Sequence, residues 1–318
     1  MAERPEAAVR SASESDRKDQ LVAKTRFRSD GGLTARMGVV TFLLGAVYVG
    51  FGAVLVYYSG PVLGIVIVVA LAWAQWYFSD KLALASMRAR EVTPEQAPEL
   101  HGVIDRLCAL ADMPKPRVHI ADTDLPNAFA TGRSPQHSSI CVTTGILQRL
   151  SAEELEGVLS HELAHVANRD VAIMTVASAL GLLAGFITRW GLYFGGGRRD
   201  SNGAPAMLVI WVVSIVVYAI SFLLTRALSR YRELSADRSA AYLTGKPSAL
   251  ASALVKISGD MGRIPTKDLR QAEAMNAFFF APAFSRDSLS ALISTHPSTE
   301  RRLQQLSSVA ADLGRPMQ

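Results

Sequence analysis

The chain has 318 residues, enough for one or two domains with a full core. Hydrophobic residues make up 49% and charged residues only 19%, against about a quarter charged in soluble domains, so part of the chain is expected in a different solvent. The net charge of +5 gathers beside apolar runs instead of forming a stripe, which suits a lipid bilayer and argues against nucleic acid, and two cysteines without a CxxC pair support neither a disulfide framework nor a thiolate zinc site.

Residues 1–36 are polar and include eight Lys or Arg, which predicts a disordered cytoplasmic arm; a cleavable signal peptide would begin its apolar core nearer the N-terminus. Two apolar runs follow, Met37–Tyr58 and Pro61–Phe78, separated only by Ser59 and Gly60. Each approaches the roughly 20 residues needed to cross a bilayer, and Tyr57, Tyr58, Trp76 and Tyr77 stand at the run ends, where aromatic rings favour the interface. A second pair, Val171–Trp190 and Ala206–Thr225, is joined by the Gly- and Arg-containing loop around 195–199. A single run of this kind could be a buried core helix; four runs arranged as two hairpins point to a multi-pass membrane protein. Lys81, Arg88 and Arg90 follow the second run, and Arg226, Arg230 and Arg232 follow the fourth. They outnumber Arg189, Arg198 and Arg199, so the positive-inside rule places both termini and the soluble mass in the cytoplasm. The expected segments are the arm 1–36, a hairpin 37–78, a soluble part 79–170, a second hairpin 171–225 and a second soluble part 226–318. Gly181 and Gly185 form a GxxxG in the third run, read as close helix packing within the chain.

Between the hairpins, Pro94–Ala111 carries helical spacing at Leu100, Val103, Ile104, Leu107 and Leu110. Short strand-like pieces at 117–122, 127–132 and 139–148, punctuated by Ser, Pro and Gly, predict a small antiparallel sheet, with the end of the last piece turning to helix. Ser151 opens SAEE, a capping box with Glu154. The helix begun there contains HELAH and is expected to continue into the third apolar run, with Gly157 its one weak point.

On a helix His161 and His165 lie one turn apart on one face, so both imidazoles can reach one ion, and zinc accepts neutral imidazole nitrogen. Glu162 falls beside them, where a carboxylate could take a proton from water. Beyond the fourth run, Glu233 and Asp237 share a helix face; one could complete the ligand set and the other bind the far nitrogen of a ligating histidine. A solvated Arg/Glu/Asp face is the bland alternative for that stretch. The apolar stretch 274–284 is read chiefly as core packing.

These residues resemble the HtpX-type membrane zinc metalloproteases, relatives of the prenyl-protein (CaaX) endopeptidases. The likeness spans most of 31–305 and rests on LPNAFATGRS, TTGILQRLSAEELEGVLSHELAHVANRD, RYRELSADRSAAYLTG and STHPSTERRL. It implies a mainly α membrane protein with four transmembrane helices in two hairpins and a cytoplasmic gluzincin-like α+β metalloprotease domain. Carried over by residue, His161, His165 and Glu233 match the ligands of one Zn2+ per chain, Glu162 the general base and Asp237 the carboxylate behind a ligand histidine. His296 and Arg302 match groups that stabilise the oxyanion, and Asn127, Ala128 and Phe129 lie on the edge strand expected to bind the substrate backbone. The implied activity is endopeptidase cleavage, by zinc-activated water, of misfolded membrane proteins at the cytoplasmic face of a bacterial inner membrane. Two other readings stand beside it: a prenyl-protein endopeptidase, whose larger number of spans the sequence lacks, and a non-catalytic scaffold with structural zinc, which the intact Glu162 disfavours.

Overall fold

The computed structural model describes residues 31–59, 83–170, 204–261 and 296–315, with scattered helical positions between 70 and 81 and between 173 and 187. The second and third apolar runs therefore lie largely outside the described residues, as do most of the arm, the 195–199 loop and the 274–284 stretch.

The first helix, α1, runs Gly31–Ser59, so residues 31–36, expected in the polar arm, form its opening turns instead. Its large apolar side chains face outward: Phe42 and Val49 are each 75% exposed. Only a narrow stripe is covered. Val40 and Leu44 pack with Ala177 and Leu228, and Phe51 packs with Ala184 and Val217. An apolar surface of this size on a helix long enough to cross a bilayer fits lipid and would be costly in water. The long helix α5, Ala204–Thr244, shows the same outward apolar face at Leu208, Val212, Val216 and Leu223. A Cβ on Gly181 would lie 3.2 Å from Ser221 Cβ, so the glycine permits the close approach inferred from its spacing.

The soluble core is built from short elements. Strand β1 (Arg90–Glu91) precedes helix α2 (Pro98–Ala111); strands β2 (Arg117–Ala121), β3 (Ala128–Ser134) and β4 (His137–Thr143) follow. The sheet order is β1-β2-β4-β3. β3 and β4 pair as an antiparallel hairpin, but β2 pairs with β4 in parallel, so the sheet is mixed and not purely antiparallel as expected. The hairpin folds back with β4 inward, which leaves β3 as an open edge among the described residues. Period-two alternation explains both faces: Ala128, Ile140 and Val142 join the main core, while Phe129 and Cys141 pack with Ala83 and Ala121 on the other side. Burial pushes the Cys108 and Cys141 thiols up to about 12, so neither is a thiolate donor near neutral pH.

After the short helix α3 (Thr144–Arg149) comes α4 (Ala152–Ala167), which lies against the sheet. The capping box is formed: Glu154 N donates to Ser151 Oγ at 3.3 Å, and Ser151 N donates to Glu154 Oε2 at 2.8 Å. Gly157 is a packing contact, since a Cβ there would sit 3.1 Å from the Leu250 backbone of α6 (Pro247–Met261). The expected run of α4 into the third apolar segment does not occur. The helix is capped at Asn168, and Arg169 takes the left-handed region at φ 56° before helix resumes at Asp170. The last helix, α7 (Thr299–Asp312), completes the main core with Leu306 and Val309.

Glu154 also ties α4 to α6, accepting from Ser252 Oγ at 2.6 Å and Lys256 Nζ at 2.8 Å. Burial alone would raise its pKa, but these donors and the Ser151 N–H hold it at about 2. Glu154→Ala should lower stability by about 1–3 kcal/mol through loss of the cap and the interhelical bonds, measured by unfolding of the detergent-solubilised protein. Because the folded pKa is depressed, this contribution is present above the ordinary value of 4.5 and is lost as pH falls toward 2.

Candidate metal centre

Three helices meet at the C-terminal half of α4. One turn of helix puts His161 and His165 side by side, with their Nε2 atoms 3.1 Å apart. α5 brings Glu233 opposite them: Oε2 lies 3.6 Å from His161 Nε2, and Oε1 lies 3.4 Å from His165 Nε2. Atoms bound tetrahedrally about 2.1 Å from a common ion are about 3.4 Å from one another. The observed separations bracket that value.

The donor set itself calls for a cation. His161 Nδ1 is 2.8 Å from Asp237 Oδ1, and His165 Nδ1 is 2.5 Å from Asp170 Oδ2. Carboxylates accept only, so each Nδ1 donates a proton and each ring presents its Nε2 toward Glu233. Two nitrogens and two carboxylate oxygens therefore converge in a buried space, which is unfavourable without positive charge among them. The same need appears in the acid–base balance of the site. Burial alone would lower the His161 pKa, yet Asp237 and Glu233 outweigh it and raise it. Burial would raise Glu233, but His296, His161 and His165 hold it well below the usual carboxylate range.

Glu162 points to a neighbouring sector, as its sequence position implies. Its Oε2 accepts from Ala130 N of the edge strand at 2.9 Å. Burial, with the nearby charge of Glu233, raises its pKa against the opposing pull of His161, His165 and the Ala130 N–H. A carboxylate held in one orientation and made more basic is suited to proton transfer.

His296, separated from Glu233 by the end of α5, all of α6 and the segment before α7, returns to the cluster with Nδ1 3.0 Å from Glu233 Oε2. Arg302 is fully buried and bidentate to Asp237, through Nε at 2.7 Å and Nη2 at 2.6 Å; its Nη1 lies 3.8 Å from Glu233 Oε2. Its donors are thus directed chiefly at Asp237, which is also fully buried and whose pKa the guanidinium lowers against the effect of burial. That geometry suits orientation of the Asp237–His161 pair better than the expected direct contact with an oxyanion.

The edge strand also differs in detail from expectation. Asn127 O accepts from Thr143 N, so the Asn127 backbone faces inward toward β4, and the Phe129 side chain is buried on the far face. Ala130 N–H instead faces the site, so by alternation the outward backbone groups belong to Ala128, Ala130 and Gly132. Of the three residues assigned from sequence, Ala128 remains at the open edge. Asp170 was not anticipated, nor was the bond from Ala130 N–H to Glu162, although Ala130 lies in the expected 127–132 edge strand. Asp170 sits beyond the helix break, outside the i,i+4 pattern, and Ala130 contributes only backbone.

Residues 94–310 match the profile of peptidase family M48. The chain belongs to this family. It is 58% identical over 295 residues to Protease HtpX homolog 1 of Streptomyces coelicolor, covering 92% of this chain and 97% of that protein. It is 54% identical to Protease HtpX homolog of Moorella thermoacetica, covering 87% and 94%, and 39% identical to that of Pyrococcus furiosus, covering 89% and 98%. In fold it is similar to the crystal structure of S. mikatae Ste24p, at TM-score 0.53 and 18% identity, over 87% of this chain and 67% of that one. The protein is an M48 metalloendopeptidase, with two described helices, at Gly31–Val54 and Leu208–Thr244, long and apolar enough to cross a membrane. The M48 assignment implies a metal, generally zinc, and the donor set above fits one.

Because Arg302 neutralises the buried Asp237, Arg302→Met should leave a buried carboxylate without its cation, held only by His161, and cost about 3–5 kcal/mol. Unfolding of the detergent-solubilised variant checks this; wild-type stability with reduced turnover would instead mark Arg302 as a substrate contact.

Proposed function

We propose that the chain cleaves polypeptides at a zinc centre held by His161, His165 and Glu233, one ion per chain, close to the cytoplasmic membrane surface. The observation that carries this reading is the convergence of both Nε2 atoms on the Glu233 carboxylate, with Glu162 anchored beside them on the edge strand. The chemistry that zinc supplies when bound is Lewis acidity toward water and the scissile carbonyl. Glu162 takes a proton from the attacking water and passes it to the leaving amine, a role supported by its fixed orientation and raised pKa. His296 donates to the oxyanion developing on the carbonyl, and Arg302 holds Asp237 against His161. A substrate segment adds as a strand along the open edge of β3, using the backbone of Ala128, Ala130 and Gly132, so recognition is loose in sequence.

Closeness to the bilayer selects what is cut. Glu233 lies eight residues past Thr225, the end of the fourth apolar run, and helical rise makes that about 12 Å. Cytoplasmic segments of membrane proteins, especially misfolded ones with unpaired backbone, reach that height and can pair with an edge strand. This is membrane protein quality control by proteolysis, the reading favoured by four spans and a cytoplasmic catalytic domain.

The chemistry is tested on casein with the detergent-purified, zinc-loaded protein. Glu162→Gln should keep its metal and lose cleavage, whereas Glu233→Ala should lose metal. His296→Ala should keep metal and lower kcat roughly a hundredfold with KM little changed. Equal zinc content in Glu233→Ala and wild type would remove Glu233 from the ligand set.

Topology is tested separately by reporter fusions. Fusions at Gly60 and Gly197 should read as exterior, and fusions at Arg90 and the C-terminus as interior. An interior signal at Gly197 would mean that the second hairpin does not cross.

A further inference from the structure

The break after α4 has a consequence for the metal centre. Asn168 caps the helix, Arg169 turns the chain through the left-handed region, and Asp170 is thereby returned to His165, with Oδ2 2.5 Å from Nδ1. An uninterrupted helix would not do this, because position i+5 is far round the cylinder from position i. The other oxygen, Asp170 Oδ1, pairs with Nη2 of Arg232 on α5. Arg232 is itself buried, at 4% exposure, and is the residue before Glu233.

Each histidine thus has a carboxylate behind it and an arginine behind the carboxylate, bidentate at Asp237 and a single ion pair at Asp170. His161 is held by Asp237, which is held by Arg302 of α7; His165 is held by Asp170, which is held by Arg232 of α5. We propose that Asp170 and Arg232 form a second positioning relay for the metal centre, fixing the tautomer and ring orientation of His165 as Asp237 and Arg302 do for His161. The carboxylate fixes the proton on Nδ1 and makes Nε2 the better donor. The guanidinium places an opposite charge beside the buried carboxylate, which alone would be costly there. Asp170 lies at the start of the third apolar run, and Arg232 lies just beyond the fourth. The relay therefore joins the two segments of the second hairpin to a ligand at the point where both leave the soluble core.

The inference rests on the zinc reading, and its test separates the two. Full-length detergent-solubilised protein in a Glu162→Gln background, which prevents self-cleavage, is stripped of metal and titrated with Zn2+ against a chromogenic chelator. Asp170→Ala should weaken zinc binding about 10- to 100-fold, and Arg232→Met should weaken it by a smaller factor. The double variant should bind no more weakly than Asp170→Ala, since the arginine acts through the aspartate. In the cobalt-loaded protein, the visible ligand-field bands of Asp170→Ala should shift, a change that loss of packing elsewhere would not produce. Should Asp170→Ala fail to fold, Asp170→Asn keeps the shape while removing the charge, and should still weaken zinc binding several-fold. Wild-type zinc affinity and unchanged cobalt bands in a folded Asp170 variant would overturn the relay. Failure of the parent protein to bind one zinc, or indifference of binding to Glu233→Ala, would overturn the zinc reading itself.

Discussion

The structure depends on one packing event, the contact of α4 with the C-terminal part of α5. It sets the imidazoles of His161 and His165 against the Glu233 carboxylate, and everything near it serves to make that arrangement tolerable. Glu162, Glu233, Asp237, Arg232, His161 and Arg302 are all buried. Removing such groups from water costs several kcal/mol each unless they are paired in good geometry. The pairs supplied are a bidentate Arg302–Asp237 fork and two His–Asp bonds, which are directional, and an Asp170–Arg232 ion pair. The apolar surroundings, Leu159, Leu163, Ala236, Ala240 and Leu306, do more than fill space. By excluding water they strengthen each of these interactions and leave a bound cation as the remaining source of charge balance.

How much of this was legible in the sequence follows from which contacts are local. His161, Glu162 and His165 share one helix turn, and Glu233 and Asp237 share another, so periodicity alone brings each group to one face. Ser151 and Glu154 likewise announce the start of α4. The pairing of the two helices is not local; the need of the histidine pair for a third ligand suggested it, and the resemblance to a family implied it. Other features left no trace in spacing. The parallel pairing of β2 with β4 depends on which side the β3 hairpin takes, and alternation of apolar residues is the same for either choice. Asp170 depends on a backbone turn at Arg169, a residue type with no preference for the left-handed region. Arg302 was visible as a charge in the late STHPSTERRL motif, but which carboxylate it pairs with was not.

The open strand and the buried cluster divide the work of recognition. An edge strand reads a backbone, which every extended polypeptide presents, and so gives little sequence preference. Glu162 links this edge to the chemistry, because the N–H that orients it, Ala130, belongs to the strand on which the substrate would lie. A change in that strand's position is therefore a change in the orientation of the base. Selectivity in such a design comes from access more than from side-chain readout: a folded domain has few unpaired backbone segments, and a misfolded one has many.

Access is in turn set by α5. A helix of 41 residues is about 60 Å long, twice the thickness of a bilayer's hydrocarbon core, and here one unbroken element carries an apolar face, Arg232, Glu233 and Asp237. A flexible linker between an anchor and the site would let the catalytic centre sample a wide volume. A continuous helix fixes its height and its rotation about the helix axis together, because adding one residue would turn Glu233 by about 100° away from the histidines. The distance from apolar run to ligand is thus constrained by the metal geometry and not only by the membrane. On the proposed reading, substrates would be confined to what reaches that one height, which would restore selectivity that the edge strand alone does not provide.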